Sequence, residues 1–213
     1  MTLFDDTSLF TSGRRKRVLY EPEDATLILI ESFFTKEEAD NMYEKLLKDT
    51  AWKKSKITIY GKLHDTPRLT AWYGDKDKVY TFSGNSMNTL PWTPDLLFIK
   101  DRVEKEAGVP FNSVLLNLYR TGKDSVGWHR DNEKEFGENP TIASVSFGET
   151  RPFQLRHKFN KALDKITIPL THGSLLIMKD KTQHAWEHQI PKTTKPVKPR
   201  INLTFRIIKT FTQ

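Results

Sequence analysis

Residues 200–208 read RINLTFRII, and the alternation in this stretch decides how the rest of the chain is understood. Taken as a strand, it points Ile201, Leu203, Phe205 and Ile207 to one side and Arg200, Asn202, Thr204 and Arg206 to the other. An apolar outer face backed by two arginines is unusual if the second face lines a barrel interior. Buried cations there need anionic partners. A bound dicarboxylate would supply them, because the guanidinium fork matches a carboxylate in a bidentate way. The competing reading is an exposed edge strand whose charges are solvated.

Working outward, a Pro/Lys loop at 191–199, PKTTKPVKP, leads into this strand. Val114–Tyr119 places Leu115, Asn117 and Tyr119 on one side, so that Asn117 and Tyr119 can donate hydrogen bonds into the same cavity. Ile142–Phe147, Pro152–His157, Ile166–Leu170 and Ser174–Met178 are further short strands separated by turns, and Thr26–Ile30 is another. Many short strands of this kind suggest a sandwich or barrel.

Two helices flank them. Thr35 caps the first and Glu38 completes a capping box, with Ala39, Met42, Tyr43, Leu46 and Leu47 on one face. Thr93 caps the second, Pro94 starts it and Gly108 ends it, with Leu96, Ile99, Val103 and Ala107 facing inward. The fold class expected is mainly β with flanking helices.

Residues 52–83 read as strands and hairpins in which Ile59, Tyr60, Trp72, Tyr73, Tyr80 and Phe82 are interleaved with lysines and arginines. Stacking on bases and pairing with phosphates requires that mixture. Amphipathic strands with solvated lysines would show it too. The formal charge of +7 favours polyanionic partners. Residues 1–25 are polar and carry Arg14-Arg15-Lys16-Arg17, which reads as a basic arm. The chain has no cysteine, which excludes disulfides and zinc-thiolate sites. No stretch has the length of a membrane span, and no leader is apparent. The expectation is an intracellular protein, cytoplasmic in a bacterium and nuclear in a eukaryote.

The chemistry centres on Trp128-His129-Arg130-Asp131. A His and an Asp one residue apart can face one side of an extended or tightly turned segment, forming half of a metal site. A later histidine would complete a two-histidine, one-carboxylate set that leaves positions open, as a non-haem Fe(II) oxygenase needs. His188 is one candidate, and His157, His172 and His184 are its rivals. A bare H-x-D is also compatible with an ordinary surface turn. A hydrolytic zinc enzyme would use the same ligand types, but no general base is evident beside them.

The joint pattern is far more specific. LLNLYRTG, GWHRDNEKE, IASVSFGETRPFQLRHK, LTHGSLLIM, HAWEHQIP and PRINLTFR span most of residues 113–208, with a weaker match through ITIYGKLHDTPRLTAWYGD and YTFSG. In this combination the chain resembles the AlkB family of Fe(II)/2-oxoglutarate-dependent nucleic-acid dealkylases, and most of all its double-stranded-DNA repair branch. The resemblance implies a double-stranded β-helix (jelly-roll) core over 113–208. It implies one domain over 26–213, with an N-terminal nucleotide-recognition lid over 52–92. Fe(II) would be held by His129, Asp131 and His188. Arg200 would clamp the distal carboxylate of 2-oxoglutarate, with Asn117, Tyr119, Asn202, Thr204 and Arg206 around the rest and His172 as structural support.

With O2, the implied reaction removes N-methyl groups from 1-methyladenine and 3-methylcytosine in DNA and releases formaldehyde. The wedge entering the duplex would be Ile59-Tyr60-Gly61, Tyr60 standing where the branch more usually has Phe. Tyr80, Phe82, Ser83 and Trp72 would meet the flipped base, and Glu133 would read it. A monomer acting on alkylated DNA is the expected form. A dealkylase for RNA or single strands, or a nucleic-acid-binding module without catalysis, are the alternatives.

Overall fold

Two antiparallel sheets enclose the space that the alternation of residues 200–206 had implied. The computed structural model describes residues 15–59, 62–75, 79–82 and 85–209, with side chains described outside 57–64 and 76–88. In chain order the elements are β1 (Lys16–Tyr20), β2 (Thr26–Glu31), α1 (Lys36–Asp49), β3 (Lys53–Ile59), β4 (Lys62–Gly74), β5 (Val79–Phe82) and β6 (Asn85–Asn88). There follow α2 (Pro94–Ala107), β7 (Ser113–Tyr119), β8 (Val126–His129), β9 (Ile142–Gly148), β10 (Arg151–His157), β11 (Ile166–Leu170) and β12 (Ser174–Lys179). A short helix α3 (Thr182–Ala185), β13 (Trp186–Ile190) and β14 (Arg200–Arg206) complete the chain. The eight-stranded sheet has the order β1-β2-β12-β9-β14-β7-β4-β3 and the four-stranded sheet the order β11-β10-β13-β8. From β7 onward the chain passes back and forth between them, with β7, β9, β12 and β14 in the larger sheet and β8, β10, β11 and β13 in the smaller. This is a jelly-roll, double-stranded β-helix core.

Strand parity divides the larger sheet into two working faces. Ile28, Ile30, Ala143, Val145, Leu175, Ile177, Ile201, Leu203 and Phe205 pack with the inner faces of α1 and α2. Leu27, Leu29, Ile142, Leu176 and Met178 turn the other way and meet Phe153, Leu155, Ile168 and Trp186 of the smaller sheet. The larger sheet is thus covered on both sides, which is why every residue of β14 is buried. Both helices start and stop as their sequences dictate. Thr35 and Glu38 form the capping box of α1, and Thr93, Pro94 and a left-handed Gly108 (φ 74°) bound α2. Leu47 departs from expectation at 38% exposed, because it sits at the edge of the α1 stripe. Part of the stretch expected as a basic arm is a strand. Lys16–Tyr20 pairs with β2 in register Lys16↔Glu31 to Tyr20↔Leu27.

His172 ties the helical layer to the sheet. Its Nδ1 accepts the Gly148 N–H at 2.8 Å and its Nε2 lies 3.1 Å from Asp40 Oδ1 on α1. Gly148 has φ +88°, and a Cβ there would lie 2.5 Å from the Pro199 carbonyl oxygen, so the turn out of β9 requires glycine. Burial pushes His172 down to about 4, against the pull of Asp40. Protonation would also cost the hydrogen bond from Gly148. The unfolded chain therefore takes up this proton first, near pH 6.5, and the stability His172 contributes is complete above that pH and falls as pH drops towards 4. Urea melts between pH 7 and 4.5 should show a slope of up to about 1.4 kcal/mol per unit from this group. His172→Gln should flatten the profile, and an unchanged slope would remove the assignment.

Candidate active site

His129 and His188 meet because their strands are neighbours. β8 and β13 pair in register His188↔His129, which brings the ring centroids to 4.3 Å. Asp131 follows β8 by two residues and returns to the same point. The ligand atoms of His129, Asp131 and His188 all lie within 4.8 Å of one another. His129 Nδ1 faces the Gly127 carbonyl at 2.8 Å, so its proton is held there and Nε2 keeps its lone pair. Burial pushes His188 down to about 3, which keeps a neutral imidazole available as a ligand at ordinary pH. Burial alone would raise Asp131, but Arg206 and the two histidines hold its carboxyl down at about 2. Arg206 grips Asp131 Oδ2 through Nη2 at 2.7 Å and Nε at 3.1 Å, with both side chains buried.

The rival histidines are otherwise engaged. His184 Nε2 accepts the Asn139 N–H at 3.2 Å, and His172 is committed as described. Glu23, Asp24 and His157 form a second acidic and histidine group. There, His157 Nδ1 accepts the N–H groups of Asn160 at 2.7 Å and Phe159 at 3.3 Å. Its Nε2 must then carry the proton, which leaves no lone pair for an ion.

A cavity of about 560 Å³ opens beside the three converging side chains, within the range of small-molecule sites. Asn117, Tyr119, Arg200, Asn202, Thr204 and Arg206 line it, as strand parity required, and so does Glu133 at its rim. Arg200 is 1% exposed and donates from Nη2 to Ser146 Oγ at 2.9 Å, while its Nε and Nη1 have no partner. A buried guanidinium with two unused donors fits a carboxylate, and three protein ligands with a cavity beside them fit a ferrous ion that must accept further ligands. Asn202 Nδ2 donates to Ser144 Oγ at 2.8 Å and Thr204 Oγ1 to Asn202 Oδ1 at 3.1 Å, a chain that holds the wall rigid.

Other expected residues fall differently. Trp72 is 4% exposed, packs with Phe136 and Ile208, and lies under Arg206 (5.9 Å to the ring centroid), away from the cavity wall. Ile59 ends β3, and Tyr80 and Phe82 lie in β5, with no side chain described. Tyr60, Gly61 and Ser83 lie outside the described residues.

Three residues that strand patterns did not single out also bear on the cavity. Arg68 is 8% exposed, lines the wall and donates from Nε to Asn117 Oδ1 at 2.6 Å. Gln183 is fully buried on α3, accepts the Asp131 N–H at 3.1 Å and donates to Met178 Sδ at 3.4 Å. Arg151, at the start of β10, is 2% exposed. None of the three stands in an apolar run, so no local pattern marked them; their burial comes from tertiary packing. Gln183→Leu should weaken metal binding by roughly tenfold or more, because it frees the backbone that aims Asp131. A titration with Mn(II) checks this, and unchanged affinity would refute it.

The sequence matches the 2OG-Fe(II) oxygenase superfamily over residues 26–206. It is 44% identical over 188 residues to the alpha-ketoglutarate-dependent dioxygenase alkB homolog 3 of Bos taurus, covering 84% of this chain and 65% of that protein. It is 41% identical over 184 residues to the DNA oxidative demethylase ALKBH2 of Homo sapiens, covering 82% of this chain and 70% of that protein. The chain thus spans 65% of the length of the first of these relatives. Among solved structures, OsALKBH1 superposes with a TM-score of 0.64 at 15% identity, over 89% of this chain and 100% of that one, which establishes the likeness of fold.

Proposed function

From a chain that belongs to the 2OG-Fe(II) oxygenase superfamily, and within it to the AlkB family, we propose an oxidative DNA demethylase that acts on 1-methyladenine and 3-methylcytosine in duplex DNA. The observation that carries this reading is the His129–Asp131–His188 cluster set against a buried Arg200 with two unused donors. Iron(II), 2-oxoglutarate and O2 supply the oxidation of the N-methyl carbon, which leaves as formaldehyde with succinate and CO2 as co-products.

His129, Asp131 and His188 hold the metal, and Arg206 keeps Asp131 ionised and oriented. Arg200 receives the far carboxylate of 2-oxoglutarate, and Asn117, Tyr119, Asn202 and Thr204 position the remainder. The apolar walls, including Leu115, Phe153 and Ile190, keep water from the reacting carbon. No side chain is asked to act as a nucleophile.

The methyl group of a paired base lies inside the duplex, so the base must leave the stack to reach the cavity. Residues 52–92 would form the lid that receives it, with Ile59-Tyr60-Gly61 as the wedge and Tyr80, Phe82 and Ser83 meeting the base. Glu133 offers a carboxylate to a ring that methylation has made cationic. The net charge of +7 supports a polyanionic substrate. Among the described residues no helix is long and apolar enough to cross a membrane.

Anaerobic loading with Fe(II) and 2-oxoglutarate, followed by O2, should release formaldehyde from methylated duplex DNA in step with succinate. Succinate without formaldehyde from any methylated strand would overturn the DNA assignment. Tyr60→Ala should lower turnover on duplex several-fold more than on single strands, since only the duplex needs the gap filled. An equal loss on both would end the wedge role.

A further inference from the structure

Arg151 and Arg200 converge on one tyrosine from opposite sheets. The guanidinium carbon of Arg200 lies 5.2 Å from the Tyr119 ring centroid and that of Arg151 lies 5.9 Å from it. Arg200 belongs to β14 of the larger sheet and pairs in register with Tyr119, whereas Arg151 opens β10 of the smaller sheet. Both are almost wholly buried, at 1% and 2% exposure. Among the described residues no carboxylate lies within ion-pair distance of either. Arg151 donates from Nη2 to the carbonyl oxygens of Asp124 (3.2 Å) and Pro191 (2.6 Å), and its Nε has no partner.

The nearby acids are already engaged. The Asp124 carboxylate takes Arg120 at 2.7 Å, and Glu149 Oε2 accepts the Lys198 N–H at 2.9 Å, so both reach Arg151 only through space. Burial, with Arg151 adding to it and Tyr119 opposing, pushes Arg200 down to about 10. Two like charges buried this close are costly unless an anion joins them. Arg206, the other arginine of the β14 face, is committed to Asp131 and does not meet that need.

We propose that Arg151 is the second cation of the co-substrate site: a positioning residue that acts through Tyr119 and through its charge to make the site select a ketoacid with a distal carboxylate. The inference rests on the 2-oxoglutarate reading given above. Arg200 makes the direct contact. Arg151 stands behind the wall, raising the positive potential at the distal end and holding the Tyr119 ring against Arg200. A ketoacid of the same length that ends in a methyl group gains nothing from that potential.

The test compares 2-oxoglutarate with 2-oxopentanoate, binding each to Mn(II)-loaded protein in calorimetric titrations. Arg151→Lys keeps the charge and a donor on a long stem, whereas Arg151→Gln keeps a donor at about the position of the arginine Nε and loses the charge. Arg151→Gln should bind 2-oxoglutarate about tenfold more weakly, equivalent to about 1.4 kcal/mol, with 2-oxopentanoate affinity unchanged. Arg151→Lys should keep most of the wild-type preference for the diacid. An undiminished preference in Arg151→Gln, or equal losses for both ketoacids in both variants, would overturn the proposal and leave Arg151 as a tie between two loops. Failure of the unaltered protein to bind 2-oxoglutarate at all would instead overturn the co-substrate reading itself.

Discussion

His129→Ala should abolish the proposed demethylation while leaving the fold and the binding of methylated duplex in place. A bound metal contributes several kcal/mol to such a reaction, so the loss should be at least about a thousandfold. His129 is only half-buried, at the exposed edge of β8, so truncating it leaves no large cavity in the core. Its ring is held by the Gly127 carbonyl and faces His188, and neither contact fastens the two sheets together. Formaldehyde release and fluorescence anisotropy on the same methylated duplex separate the two roles. If binding fell as far as turnover, His129 would be part of the DNA surface and its assignment as a metal ligand alone would fail.

Arg206→Met should cost the metal-free protein about 3–5 kcal/mol, the usual result of leaving one member of a buried pair without its partner. The methionine would retain packing against Trp72 and Phe136, whose ring centroids lie 5.9 and 5.4 Å from the Arg206 guanidinium carbon, so the loss would report charge and not volume. With Arg206 gone, Asp131 would face the two histidines alone, and its carboxyl would rise from about 2. The double variant Asp131→Leu/Arg206→Met should recover most of the lost stability while remaining inactive, because it removes both charges together with a metal ligand. Urea melts of the unaltered protein, Arg206→Met, Asp131→Leu and the double variant, all without metal, check this. Additive losses in the double variant would mean that the two groups are not coupled, despite their 2.7 Å contact.

Much of this was legible in the sequence because it rests on local rules. The capping box of α1, the Pro94 and Gly108 boundaries of α2 and the alternation in β14 each depend on a few neighbouring residues. β8 and β13 were harder to see. VGWH and WEHQI are only four and five residues long and carry two large apolar side chains each, too few for a period to stand out until the partner strand is present. Lys16–Tyr20 reads as a solvated arm for the same reason: its strand exists because β2 offers an unpaired edge.

The sequence by itself determined the mainly β architecture, the two helices and the inventory of groups able to hold a metal and a diacid. Residue patterns left four histidines open and the family resemblance pointed to His188; the tertiary structure supplies the physical reason, because β8 and β13 lie side by side with their rings 4.3 Å apart. It also separated two arginines that alternation had treated as equals. Arg206 found a carboxylate 75 residues away in the chain, Arg200 kept two donors unused, and Arg151 met the Tyr119 ring that Arg200 also meets, from the other sheet. Alternation says which side of a strand a charge is on. Which opposite charge it meets there is settled by the packing of distant segments, where burial makes an unmatched charge expensive.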